Sequence, residues 1–312
     1  MKKLLKIGTR ESQLAVWQAA HVQKLLKEKG TDSQLIYIKS EGDINTKTPL
    51  YELGIQGIFT KALDTAILNK QIDIAVHSMK DVPTQLAEGI SQAAVLKRVS
   101  YKDILVFKGE KKQIEDELLN HDSAFTIATG SIRRKAQWLH RYPNHTIKSL
   151  RGNVNTRLEK LYKSNWNGVI FAAAGLERIN LRPENSIDLD WMLPAPAQGA
   201  ITISCGEDDN FSYHACQQLN DETTFICTKI ERDFLRTLLG GCSTPISALA
   251  VIEKDMIIFK GSICTIDGRK KSDIEKKVSI KNKNELGIIA ANEILQTEEA
   301  KQIIREIHNV KK

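Results

Sequence analysis

Short apolar runs that close on a Gly, Ser or Thr turn, each followed at once by a helix-periodic segment, recur along this chain and limit its fold more than any other feature. Leu4–Thr9 reads as a strand. The helix expected from about Ser12 to Lys29 puts Leu14, Trp17, Val22 and Leu25 on one side. Further strands are expected at 34–39, 72–77 and 92–96, and a helix at 60–69. Strands alternating with helices predict an α/β fold with a mainly parallel sheet, in which ligands bind at the carboxyl ends of the strands.

Within that pattern, residues 123–158 contain no Asp or Glu, yet they carry Arg133, Arg134, Lys135, Arg141, Lys148, Arg151 and Arg157. A guanidinium presents a planar fork of donors that matches a carboxylate or phosphate, and a run without acids leaves that fork open for an anion. The run reads as two strand–turn–helix modules, 125–128/129–131/132–140 and 146–150/151–153/154–162. Ser131, Arg133 and Arg134 therefore sit at a helix N-terminus, where free N–H groups and the positive dipole end gather. The alternative is a solvated basic face. Against it, the arginines cluster at turns instead of following a helix face. Arg10 and Ser12 occupy another such corner, and Lys80 and Asp81 follow the 72–77 strand at its carboxyl end. An Asp in a turn is commonly a cap. Its position next to an expected anion site singles Asp81 out.

At 312 residues the chain is long enough for two or three domains. A second α/β unit begins near Tyr101 and includes a strand at 168–171 and a helix at 172–178. The segment 191–199 then crosses back, and 200–205 resumes as a strand. The expected division is a discontinuous domain of 1–98 and 198–220, a second of 101–192, and a small α+β domain of 223–312. The fold class is α/β, with two hinged, periplasmic-binding-protein-like domains and a ligand cleft between them. In the third domain a helix to Leu239, strands at 247–252 and 256–263, and helices at 284–295 and 298–308 are expected. Segment 40–59 is punctuated by Gly42, Pro49, Gly54 and Gly57, and reads as a lid over a site or as a plain connection.

Forty-five Lys and Arg against 38 Asp and Glu give a formal charge of +7, which suits nucleic acid, a membrane surface or small polyanions alike. Five cysteines without Cys-x-x-Cys or Cys/His ligand spacing argue against a disulfide framework and against a metal site, and fit a reducing cytosol. Lys6, Gly8, Thr9 and Arg10 interrupt the first apolar run before signal-peptide length, and no run reaches the length of a membrane span. Cys242 stands apart in Gly240-Gly241-Cys242-Ser243-Thr244-Pro245, a turn that lets other groups approach its sulfur. Cys205, Cys216, Cys227 and Cys264 read as small buried hydrophobes. A thiolate at Cys242, just past a helix C-terminus, needs a cation nearby to offset the dipole.

Seven segments in order, Thr9-Arg10-x-Ser12, His77 to Pro83, Ser131-Ile-Arg-Arg134, Ser149 to Val154, Ala174-Gly-Leu176, Gln198-Gly-Ala200 and Gly240-Gly-Cys242, resemble porphobilinogen deaminases, also called hydroxymethylbilane synthases. The resemblance implies a monomeric enzyme of porphyrin (haem) biosynthesis with porphobilinogen as substrate and no nucleic-acid or membrane partner. It would join four porphobilinogen units head to tail, lose ammonia at each step and release 1-hydroxymethylbilane. It also implies a dipyrromethane cofactor held by a thioether to Cys242, with Asp81 as the catalytic carboxylate. Arg10, Ser12, Lys80, Ser131, Arg133, Arg134, Arg151, Arg157 and Arg178 would hold the acetate and propionate groups, and Gln56 and Phe59 would lie in a lid loop.

Three departures from the family pattern stand out. Gln56 replaces the usual lysine of the lid loop, Ser40-Glu41 precede Gly42-Asp43 where the family usually has Thr-Arg, and Gly130 replaces the first serine of a Ser-Ser pair. Each removes a contact to an anionic chain, which predicts weaker substrate binding than in a lysine-bearing relative. Two rival readings follow from the charge pattern: a non-catalytic anion-binding protein, and a nucleic-acid binder. The second would need an aromatic stacking array, and the acid-free run offers only Phe125, Trp138 and Tyr142.

Overall fold

Continuous apolar strands need cover on both faces, and the sequence supplies a different helix for each. In strand β3 (Ile74–Ser78) the side chains alternate. Ile74 and Val76 join a core with Ala19, Val22 and Leu26 of helix α1 (Gln13–Glu28), whereas Ala75 joins Leu63, Ala66 and Ile67 of α2 (Lys61–Leu68). Strand β5 (Asp103–Phe107) repeats the arrangement. Its Leu105 and Phe107 pack with Ile114 and Leu118 of α3 (Lys111–Leu119) and with Trp138 of α4 (Ile132–Arg141). Its Ile104 and Val106 pack instead with Leu161 of α5 (Val154–Lys163) and Leu176 of α6 (Ala173–Glu177).

The structure is a computed structural model that describes residues 4–39, 60–119, 124–238 and 244–309. Its described residues divide into two compact units, one of residues through 39, 60–100 and 198–226, the other of 101–197 and 227 onward. The first unit carries a sheet of order β2-β1-β3-β10-β4, with β1 at Leu5–Thr9, β2 at Ser33–Tyr37, β4 at Ile90–Val95 and β10 at Ile201–Gly206. The second carries β7-β6-β8-β5-β9, with β6 at Thr126–Thr129, β7 at Thr146–Ser149, β8 at Gly168–Ala172 and β9 at Ser186–Asp188. The two sheets share one pattern: the first three strands are mutually parallel, and the fourth runs against both of its neighbours. Four strands of each sheet thus run the same way, as the expectation of mainly parallel sheets has it, and one runs against them. The returning strand β10 enters between β3 and β4 in the opposite sense, and β5 does the same between β8 and β9.

The second unit also contains a three-stranded antiparallel meander of β11 (Ile246–Glu253), β12 (Met256–Cys264) and β13 (Lys271–Ser279). It is flanked by α8 (Glu222–Thr237), α9 (Leu286–Ile294) and α10 (Glu298–Asn309), and α7 (Asn210–Gln217) belongs to the first unit. The Phe234 ring of α8 meets Phe259 of β12 edge-on, 5.2 Å between centroids. Gly287 lets α9 approach α8 closely, because a Cβ there would lie 2.1 Å from the Ile230 carbonyl oxygen. Gln137 of α4 ties the meander to the second sheet by donating to the Ser247 hydroxyl (2.8 Å) and the Leu193 carbonyl (2.9 Å). Among the described residues no helix is long and apolar enough to cross a membrane.

Candidate active site

Because β1, β2 and β3 are mutually parallel, their carboxyl ends share one end of the first sheet, and β6, β7 and β8 do the same in the second. In both units the expected site residues that are described follow these ends. Arg10 follows β1, and Ser12 caps α1 by accepting from the Ala15 N–H at 3.4 Å. Lys80 and Asp81 lie in a 3-10 turn (Met79–Asp81) directly after β3. That turn is fixed on one side by Met79, whose N–H donates to the Ala200 carbonyl at 3.0 Å. On the other side Gln18 of α1 donates to the Ser78 hydroxyl at 2.8 Å. Lys80 Nζ donates to Gln198 Oε1 at 3.3 Å, so the Gln198-Gly-Ala200 segment joins this corner.

His77, the residue before Ser78, is buried, and its Nε2 has no hydrogen-bond partner among the described residues. Burial, reinforced by the positive charge of Arg10, pushes its imidazole down to about 4. At neutral pH it is uncharged, so it adds no positive charge beside Arg10.

In the second unit Ser131 caps α4 by accepting from the Arg134 N–H at 3.4 Å, and Asn153 caps α5 by accepting from the Thr156 N–H at 3.0 Å. These caps place Arg133 and Arg134 in the first turn of one helix and Arg157 in the first turn of the next. Arg157 Nε donates to the Gly152 carbonyl at 2.8 Å, which folds its side chain back over the β7–α5 turn. Arg151 opens that turn and is buried, and Arg178, which ends α6 after β8, is buried too.

The electrostatics of this end are one-sided. Burial pushes Arg178 down to about 10, and Glu177 restores only part of the loss. Burial also lowers Arg151, and it lowers Arg133 by more than the neighbouring Asp103 offsets. An anion that joins a guanidinium already taken out of water favours its charged form and offsets part of that cost.

The expectation that the acid-free run leaves all its arginine forks open is corrected for Arg134. Asp103, at the start of β5 and fully buried, lies outside that run in sequence and inside the cluster in space. Its Oδ1 accepts from Arg134 Nε (3.0 Å) and lies 2.8 Å from Arg134 Nη2, and its Oδ2 forms an ion pair with Arg133 Nη1 at 2.7 Å. Arg134 Nη1 donates to the Ile170 carbonyl at 3.0 Å, which completes that fork. Sequence reasoning missed Asp103, although an acid opening a continuous apolar strand, Asp103-Ile-Leu-Val-Phe107, is itself a signal.

Gly130 also reads differently in the structure. A Cβ there would sit 2.3 Å from the Leu150 carbonyl oxygen, so in this chain the glycine permits the ends of β6 and β7 to approach. Cys242, Gln56, Phe59 and Glu41 lie outside the described residues.

Two α/β sheets of one pairing pattern, one ending in buried guanidiniums and the other in a lysine and an aspartate, define an anion-handling α/β protein. Family models narrow this further. The porphobilinogen deaminase dipyrromethane-cofactor-binding domain matches residues 5–214, and the porphobilinogen deaminase C-terminal domain matches 225–296. The chain belongs to the porphobilinogen deaminase family.

It is 41% identical over 281 residues to the probable porphobilinogen deaminase of Methanocaldococcus jannaschii, covering 89% of this chain and 94% of that one. It is 36% identical over 311 residues to the porphobilinogen deaminase of Desulforamulus reducens, covering 98% and 99%. Among solved structures, the VFT2 domain of BvgS from Bordetella pertussis is similar at a TM-score of 0.42 and 12% identity, covering 69% of this chain and 86% of that one.

Proposed function

We propose that this chain condenses four porphobilinogen molecules head to tail, releasing ammonia at each step and then the linear 1-hydroxymethylbilane, as a transferase of porphyrin (haem) biosynthesis. The observation that carries the reading is the set of buried guanidiniums at one sheet end, where the effect of burial outweighs what Asp103 and Glu177 restore. Each pyrrole unit brings two carboxylates, so a chain growing on a dipyrrole reaches roughly a dozen negative charges, each suited to a charge-assisted hydrogen bond. Arg151, Arg157, Arg178 and Arg133 with the Ser131 hydroxyl supply donors in one unit, and Arg10, Ser12 and Lys80 supply them in the other.

Asp81 acts on the reacting unit. Loss of ammonia from the aminomethyl group of porphobilinogen leaves an electron-poor methylene-pyrrolenine, and a carboxylate fixed near its ring N–H stabilises that developing positive charge. The 3-10 turn after β3, tied to Ala200 and bordered by the Gln18–Ser78 bond, holds Asp81 for this task.

The same cations fit the acetate and propionate groups of a dipyrromethane, which when bound supplies the pyrrole carbon that takes the first substrate. We assign its attachment to Cys242 through a thioether. Gln56 and Phe59 are assigned to a lid loop by the same family pattern. We further propose domains of 1–98 with 198–220, 101–192, and 223–312, supported by the three separate sheets.

A cytoplasmic location is supported by Cys205, Cys216 and Cys264, buried and free. Burial of Arg133, Arg134 and Arg151 speaks against a nucleic-acid face, and the enzyme is proposed to be a monomer without a membrane partner. The test is stoichiometric. Purified protein given porphobilinogen should release one ammonia per porphobilinogen consumed, with 1-hydroxymethylbilane identified by mass. Binding of porphobilinogen without ammonia release would leave a non-catalytic anion-binding protein.

A further inference from the structure

A chain of alternating charges runs along the end of the second sheet that carries Arg178, and none of its members is among the expected site residues. The strand register places it there. β5 pairs antiparallel with β8 and β9, Asp103 opposite Ala172 and Ile104 opposite Asp188, so Lys102, Asp188 and Asp190 lie at the end where Arg178 follows β8. Arg182 uses its whole fork in this chain. Its Nη1 donates to Glu177 Oε1 and its Nη2 to Asp188 Oδ1, both at 2.7 Å, and its Nε donates to the Ser186 hydroxyl at 3.3 Å. Lys102 Nζ then donates to Asp188 Oδ2 at 3.0 Å and pairs with Asp190 Oδ1 at 2.7 Å. Three acids against two bases leave the chain one net negative charge.

Glu177 stands one residue before Arg178, near enough for its charge to act on that buried guanidinium. An acid in that place works against any carboxylate that comes to Arg178. A lone exposed ion pair holds its partners weakly, but a fork with three bonds inside a chain of five charges fixes them.

We propose that Arg182 is a positioning residue that holds and neutralises Glu177, keeping this acid from opposing an acetate or propionate group at Arg178. Arg182 itself touches no substrate. This rests on the reading that Arg178 meets porphobilinogen-derived carboxylates, and it adds that the acid beside that arginine has to stay paired.

The experiment compares Arg182→Gln, Glu177→Gln and the double variant Glu177→Gln/Arg182→Gln with the wild type, all as cofactor-loaded protein checked by intact mass and melting temperature. Steady-state KM and kcat for porphobilinogen are measured at about 0.01 M and about 1 M salt, where charges are screened over about 30 Å and about 3 Å. At low salt Arg182→Gln should raise KM about threefold with kcat unchanged, and Glu177→Gln should lower KM about twofold. The double variant, which loses the acid together with its guard, should return to near the wild-type KM. At high salt the differences between the variants should vanish.

A folded Arg182→Gln with wild-type KM at low salt overturns the proposal, as does a double variant no better than Arg182→Gln, or a KM penalty that persists at high salt. If Arg182→Gln fails to fold, Glu177→Gln decides, and an unchanged KM at low salt is then fatal. A wild type that does not turn over porphobilinogen sinks the enzymatic reading instead. The same variants are then ranked by porphobilinogen affinity in calorimetry, with the same order expected and the same reversals fatal.

Discussion

The two sheets have the same sequence of parallel and antiparallel pairings, yet their carboxyl ends carry different residues. In the first unit the end of β3 holds an aspartate, a lysine bonded to Gln198 and a histidine kept neutral by burial. In the second the ends of β6, β7 and β8 hold arginines that burial has stripped of water. One arrangement of strands carries an acid and a lysine in one copy and buried arginines in the other, because the corner residues differ and the sheet only places them. The contrast also shows in the acids. Asp81 stands at a turn after its strand, whereas Asp103 stands buried at the start of one and is spent on two arginines.

The sharpest way to break the contrast is to neutralise the acid of the first unit. Asp81→Asn should lower kcat by about 100-fold or more while the melting temperature stays near that of the wild type, since a fixed charge opposite a developing one contributes roughly 3–4 kcal/mol. Steady-state kinetics beside calorimetric melting checks this, and a loss of stability in place of rate would make Asp81 a structural residue.

Next in size is the neutral histidine. His77 has its imidazole lowered from the ordinary 6.5 to about 4. Between those values the unfolded chain binds a proton that the folded chain refuses. Stability should therefore be flat above about pH 6.5 and fall by up to about 3 kcal/mol as pH drops toward 4. Urea melts across that window should show the slope in the wild type and lose most of it in His77→Gln.

Two smaller effects probe the second unit. Gly130→Ser forces the Leu150 carbonyl away from a Cβ that would otherwise lie 2.3 Å from it. It should cost about 1–3 kcal/mol and raise KM, because Arg151 follows Leu150 directly. Denaturant melts and KM read the two parts, and a neutral substitution would show that the strand ends can part freely. Ser131→Ala removes the α4 cap and should cost about 1 kcal/mol, with a KM change that follows the loosened first turn carrying Arg133.

Much of this was legible beforehand. Strand-to-helix corners announce themselves through local periodicity and cap residues, which is why Ser12, Ser131 and Asn153 sit where the pattern puts helix starts. Position along the chain is enough for such features. Asp103 was not legible, because its pairing with Arg133 and Arg134 spans a distance in sequence that no local rule covers. Gly130 resembled a missing serine, and only the Leu150 carbonyl beside it reveals a packing reason.

The returning strand β10 was anticipated, but its direction was not, since an apolar run reads the same both ways. Strand β13 was missed as well. Lys271, Asp273, Glu275, Lys276 and Lys277 crowd its sequence, and at an edge of the meander these charges can face solvent while Ser272 packs inward.

The central claim is that this protein builds an anionic pyrrole chain on a primer covalently held at Cys242, and intact mass tests it most directly. Wild-type protein from cells that make porphobilinogen should exceed its sequence mass by one dipyrromethane, and Cys242→Ser prepared in parallel should not. A wild type at its bare sequence mass, or a Cys242→Ser protein that keeps the added mass, would contradict the account.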